Sequence, residues 1–195
     1  MYILSNFLRI SDPQAVTVPV PRLSQVSSYL SAKKIREFGR VADITLLSLR
    51  QATEPYREIP NDMDEGYVID AVFDGTDPLH GKFCIVWSTR RMCTADVGEI
   101  IHCDCTYKCA WNGYPITMLG FSDKNRKFHP VILAVSTHET FSEFFHILSA
   151  WRNVNPNLNP KYLMADASEA VFNGAKLIWP HLIRLMCYAH VYMVS

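Results

Sequence analysis

Two aspartates carry the chemistry that this sequence offers. Asp104 sits in "IIHCDCTYK", residues 100–108, and Asp166 in "YLMADASEA", residues 162–170. The first stretch is apolar enough to be a buried strand, where a carboxylate is costly unless a partner or a cation offsets its charge. The second residue ends a short apolar run, at the junction to a helix, and strand ends of an α/β sheet are where sites are built. Carboxylates are the hard oxygen ligands that Mg2+ and Mn2+ require. Two such ions can clamp the attacking and leaving oxygens of a phosphoryl transfer. Taken singly, each residue also has a structural account. Asp104 can be a hydrogen-bonded strand residue, and Asp166 the turn or helix-start residue before Ser168. On the residues alone those accounts are the better ones.

The cysteines suggest a different metal. Cys103, Cys105 and Cys109 lie close together beside His102. On a strand, however, Cys103 and Cys105 face one side while His102 and Asp104 face the other. Their spacing is not a standard structural zinc pattern, so they read as buried thiols. Cys187-x-x-His190 supplies only two ligands, and Zn2+ there would need partners from elsewhere. Glu139 stands before a helix start, where solvent exposure and approach to the aspartates are equally open. Lys33-Lys34 and Arg90-Arg91 read as solvated surface, with phosphate contact as the alternative.

These residues need elements to position them. Residues 23–40 have apolar residues at roughly helical spacing. Residues 51–66 are polar and contain prolines, and read as a linker. After it, "YVIDAVF" and "KFCIVWS" look like strands, and "TRRMCTADVGE" like a short helix. Three strands in series, 100–106, 114–122 and 128–136, are separated by Asn112-Gly113 and by "DKN" at 123–125, which predicts an antiparallel meander. Thr140 and Glu143 have the capping-box form. Phe141, Phe144, Phe145, Leu148 and Trp151 then make an apolar stripe expected to be core. "KYLMAD" is a short strand, "SEAVFNGAKLI" a helix and "HLIRLMCYAH" a last strand. The pattern is a meander followed by alternation, so a mixed α/β sheet with flanking helices is expected. The expected division is an N-terminal extension, 1–60, and a sheet domain, 66–195.

Composition narrows the partners. The chain has 195 residues, 49% hydrophobic and 19% charged, with 19 basic and 19 acidic side chains. A net charge of zero argues against a self-sufficient DNA-binding domain, which is usually basic. The N-terminus lacks the basic and long apolar regions of a signal peptide. No run reaches the roughly 18 apolar residues of a membrane span. The expectation is a soluble intracellular protein, with no membrane and no small-molecule partner, whose cysteines are thiols.

Residues 83–195 resemble the transposase domain of Mutator-like elements, a branch of the ribonuclease H-like integrase and transposase superfamily. The resemblance lies in Asp104-Cys105-Thr106-Tyr107-Lys108, against the family's Asp-x-Thr-Tyr-Lys, and in the meander through "PITMLGFSDKNRKFHPVILAVSTHE". "YLMADASEAV" then fits the second-aspartate strand and helix, and "MCYAH" the family's Cys-x-x-His. The resemblance implies a ribonuclease H-like mixed sheet, with Asp104 and Asp166 as catalytic ligands of Mg2+ or Mn2+. It implies a structural or DNA-related role for Cys187 and His190. It implies metal-dependent DNA cleavage and strand transfer in the nucleus, with transposon ends and target DNA as partners and homo-oligomers as the assembly to look for. The family's third acidic residue lies further downstream, so the chain is expected to be a fragment with little cleavage of its own. A domesticated DNA- or protein-binding module without catalysis, or an inert remnant of a decayed element, is the alternative.

Overall fold

A computed structural model describes residues 45–75, 81–107, 113–125, 127–166 and 168–186, with Ser28 and Ala32 besides. The chain divides into two units, residues 1–43 and 44–195, and the second holds the sheet. The helix expected over 23–40 lies almost wholly outside the described residues. So do Asn112, Cys109, Lys33, Lys34, Cys187 and His190.

The described elements run α1 (Leu46–Thr53), a 3-10 turn (Glu54–Tyr56), β1 (Gly66–Asp74), β2 (Lys82–Thr89), α2 (Arg90–Cys93), β3 (Ile100–Thr106), β4 (Ile116–Ser122), β5 (Phe128–Ser136), α3 (Phe141–Val154), β6 (Tyr162–Ala165), α4 (Glu169–Ile178) and β7 (Ile183–Met186). The strands form one seven-stranded sheet in the order β1-β2-β5-β4-β3-β6-β7. Five strands pair antiparallel, and β6 and β7 continue the sheet parallel to β3. Parallel neighbours need a crossover, and α3 and α4 supply it. This mixed α/β architecture is compatible with a ribonuclease H-like fold.

Local chemistry explains the main elements. Thr140 and Glu143 do form a capping box that starts α3. Asp123 closes the β4–β5 hairpin by accepting the N–H groups of Asn125 and Lys127 at 2.8 and 2.9 Å. Strand β4 starts at Ile116 rather than Tyr114, because Pro115 has no N–H to give a ladder; its carbonyl instead accepts from Ser136. Helix α2 is shorter than "TRRMCTADVGE" suggests, and α1 with its 3-10 turn occupies the first part of the polar stretch at 51–66.

The main core lies between one sheet face and the helices α3 and α4. Ile101, Leu119, Ile132 and Leu163 meet Phe144, Ile147, Leu148, Trp151, Val171 and Ala175 there. Not all of the expected stripe is core. Phe141 and Phe145 are 42% and 38% exposed and stack on each other at 6.1 Å. Ile147 takes their place inside, since the buried residues of this helix are Glu143, Phe144, Ile147, Leu148, Ala150 and Trp151. Gly174 lets α4 approach this helix closely: a Cβ there would lie 2.9 Å from the Phe145 nitrogen.

The second sheet face is covered in part. Val68, Phe83 and Ile85 are buried there with Leu46 and Leu49 of α1 packed against them. Strand β2 is therefore buried on both faces, while β3 alternates. Among the described residues, Ile100 and Ile183 on the far part of the sheet stay exposed, at 37% and 53%.

Candidate functional site

Strands β3 and β6 run parallel with Ile101 opposite Leu163 and His102 opposite Met164. Continuing that register by two residues sets Asp104 level with Asp166. Strands β3, β5 and β6 all end on this side of the sheet, and α3 and α4 both start there. Asp104, Asp166 and Glu139 line a single cleft, with Cys103, Cys105, Phe144, Ser168 and Val171 completing its walls. The space between them is about 10 Å³, roughly the room one water needs. A single water or a small ion matches that space. The N-terminal ends of two helices also favour negative charge here.

The three carboxylates are held differently. Asp104 is exposed, which corrects the expectation of a charge inside a buried strand. Its strand is apolar because of the alternate residues Ile101 and Cys103, which are buried. Asp166 is half-buried, and its Oδ1 accepts the Ser168 N–H at 2.9 Å. That bond starts α4, whose N-cap Ser168 makes no side-chain bond. Arg184 of β7 braces the same junction. It donates to the Asp166 carbonyl at 3.3 Å and to Glu169 Oε1 at 2.6 Å.

Glu139 sits between two braced points. On one side Thr137 Oγ1 accepts the Phe83 N–H at 2.6 Å and donates to the Phe83 carbonyl at 3.1 Å. On the other stands the Thr140–Glu143 capping box. The Cys105 thiol and the Tyr107 hydroxyl lie within hydrogen-bonding reach of the Glu139 carboxylate. Glu139 Oε1 is buried with no hydrogen-bond partner.

The thiols beside the cleft are held protonated. Burial pushes Cys103 well up, and the neighbouring Cys105, Asp166, Asp104 and Glu139 push it further. Burial likewise raises Cys105, whose Sγ lies 2.9 Å from Thr117 Oγ1. Both stay protonated near neutral pH, and only the thiolate binds metal or attacks. Among the described residues, no three His, Cys, Asp or Glu side chains are arranged as a ready metal cage.

Residues 100–194 match the family model of the MULE transposase domain. This stretch is a MULE transposase domain. No curated protein and no solved structure matches the chain. The domain match opens at Ile100, the first residue of β3, so the β1–β2 hairpin lies before the matched residues. Asp104 and Asp166 both lie within the matched residues and line the same cleft. Arg90 and Arg91 lie outside the MULE match and are engaged. Arg91 holds Asp64 in a two-pronged pair at 2.5 and 2.9 Å, and Arg90 donates to the Pro60 and Asn61 carbonyls. Sequence reading left Glu139 undecided and did not single out Arg184. The signal for Arg184 was an arginine inside the apolar run "HLIRLM".

Proposed function

We propose that the domain derives from an enzyme of metal-dependent cleavage and transfer of DNA strands in transposition, with Asp104 and Asp166 as ligands of Mg2+ or Mn2+, and that it has little cutting of its own. The observation that carries this is that both aspartates line one ion-sized cleft, just past the paired residues of two adjacent parallel strands. The donor set fits the ion: it is made of carboxylate oxygens, and Glu139 Oε1 is a buried acceptor with nothing to accept. The bound cation would supply charge stabilisation at the phosphate oxygens. The chain's own part is positional. The Ser168 N–H fixes the Asp166 carboxylate, Arg184 fixes the β6–α4 junction, and the β3–β6 ladder fixes the spacing of the two aspartates. DNA is the proposed partner and the nucleus the proposed location.

The test is cutting of DNA that carries element ends, in manganese, by the protein and by its Asp104→Asn and Asp166→Asn variants. Each substitution should remove whatever residual cutting the protein shows, since outer partners of a metal alone are worth up to about 100-fold. Cutting that survives both substitutions would overturn the assignment. No cutting by any form, with manganese still bound, would favour a non-catalytic module.

A further inference from the structure

We propose that a second site lies away from the carboxylate cleft, in the cavity between the β1–β2 hairpin and the start of α3, and that it takes a guanidinium or ammonium group carried on an apolar stem. The cavity holds about 280 Å³, near the lower bound for organic ligands. It shares no residue with the cleft of Asp104 and Asp166. Val72, Asp74, Lys82, Glu143, Phe145 and His146 line it.

The walls divide into an acidic part and an apolar part. Glu143 is the deepest acid, 8% exposed. Only its Oε2 serves the helix cap, accepting from the Thr140 N–H at 3.2 Å and from the Thr140 hydroxyl. Among the described residues Oε1 takes no hydrogen bond, which leaves it for a donor from outside. His146 Nε2 likewise has no hydrogen-bond partner, and it stands 3.5 Å from Asp70 Oδ2, so the Asp70 charge lies directly behind this wall. The charges are unequal. Asp70, Asp74 and Glu143 bring three carboxylates against the ammonium group of Lys82, which the ladder sets opposite Asp74. The surplus is felt nearby: burial, and then Glu143 and Asp70, pushes the Cys84 thiol up to about 12. A field that disfavours a thiolate favours a cation. The apolar part is Val72 and Phe145, both exposed, with Phe141 stacked on the latter. An aliphatic stem covers such surface, and an aromatic ring beside carboxylates suits a flat guanidinium. An anion would meet three like charges. A wholly apolar ligand would strip water from the acids and replace none of its bonds.

Titration of the 195-residue chain with n-butylguanidine, read by NMR at the Val72 methyls and the His146 ring, tests this. The shifts should saturate. The neutral n-butylurea should bind at least about tenfold more weakly, the scale of a hydrogen bond to a charged group. Glu143→Gln should weaken n-butylguanidine by a similar factor, because Gln keeps the capping box and loses only the charge. Asp74→Asn should weaken it less, about threefold, as an exposed ion pair does, and Lys82→Met should tighten it. Asp123→Asn, which removes a negative charge from the β4–β5 turn, should leave affinity unchanged. Melting checks that each variant folds. If Glu143→Gln does not, the Asp74 and Lys82 variants decide: opposite changes in affinity support the site, and changes in the same direction overturn it. Acetylated Leu-Arg-Leu amide separates the sources. Tighter binding than n-butylguanidine makes the occupant an arginine side chain of another protein, and equal or weaker binding makes it a free organic cation. No saturable shift with either cation, equal binding of n-butylurea, or the same loss in Asp123→Asn as in Glu143→Gln would overturn the site.

Discussion

At the end of the sheet where β3 and β6 finish, three carboxylates line one small cleft. At the end where they begin, comparable charges are paired off. Lys161 Nζ meets Glu99 Oε1 at 2.5 Å, and His129 Nε2 meets Asp123 Oδ2 at 3.0 Å. The Glu99 carbonyl accepts two further N–H groups, from Lys161 and Tyr162. Trp179 Nε1 donates to the Leu158 carbonyl at 3.1 Å. One end uses its polar groups to close the chain on itself, and the other gathers three carboxylates on one cleft. Damage at the first end should therefore appear as lost stability, and damage at the second as a lost response to a cation.

The largest effect belongs to the closed end. Trp151 is fully buried in the last turns of α3, and its Nε1 has no hydrogen-bond partner, so its contribution is packing. Trp151→Ala should cost about 3–5 kcal/mol by denaturant unfolding. The stabilisation given by manganese should nevertheless stay the same. A variant that lost that response too would show that the two ends are not separable.

The next effect belongs to the open end. Manganese at a free concentration of 100 Kd should stabilise wild type by about 2.7 kcal/mol, and Asp166→Asn should lose most of that gain. Without manganese the same variant keeps the oxygen that accepts the Ser168 N–H and sheds one of three like charges. It should be as stable as wild type or more stable by up to about 1 kcal/mol, the scale of a close charge pair in water. Thermal melts with and without the ion decide it. A variant much less stable without metal, with an undiminished manganese shift, would make Asp166 a structural hydrogen-bonding residue.

Gly120 sharpens the contrast from the middle of the sheet. It faces His102 across the β3–β4 ladder, and the Phe128 ring packs over it beside the imidazole, 5.9 Å between ring centroids. A Cβ there would lie 2.2 Å from the His129 carbonyl oxygen, which is backbone and cannot swing away. Gly120→Ala should cost about 1–3 kcal/mol, again with the manganese shift preserved.

Much of this was legible in the residues, and the exceptions share a cause. The strands of the meander show alternation and turn signals, and α3 announces itself through Thr140 and Glu143. Those are local patterns. The exposure of Asp104 is not local: it depends on α1 packing over the β1–β2 side of the sheet rather than over β3. The split of Phe141 and Phe145 from the core depends on how closely α4 approaches at Gly174. Glu139 has no periodicity to betray it, since a single acid in a short loop looks alike whether it meets solvent or a cleft. Its place follows from a β5–α3 connection that returns to the ends of β3 and β6.

The smallest effect tests the closed end by pH. Asp123 Oδ1 accepts two backbone N–H groups and Oδ2 meets His129. The His129 contact, followed by the Lys127 N–H, holds this carboxyl below its ordinary value of 3.8. A carboxyl whose folded value is depressed stabilises the fold above its unfolded value, and that contribution is lost as pH falls through the folded one. Asp123→Asn retains an oxygen for the backbone N–H groups but has no charge to titrate. The stability gap between wild type and variant should therefore shrink as pH falls below about 4 and vanish under the folded value. Exposure keeps it small. Denaturant unfolding from pH 7 to pH 2 measures it. A gap that persists undiminished at the acid end would mean that Asp123 acts through its geometry alone, and that charge pairing is not what distinguishes this end of the sheet.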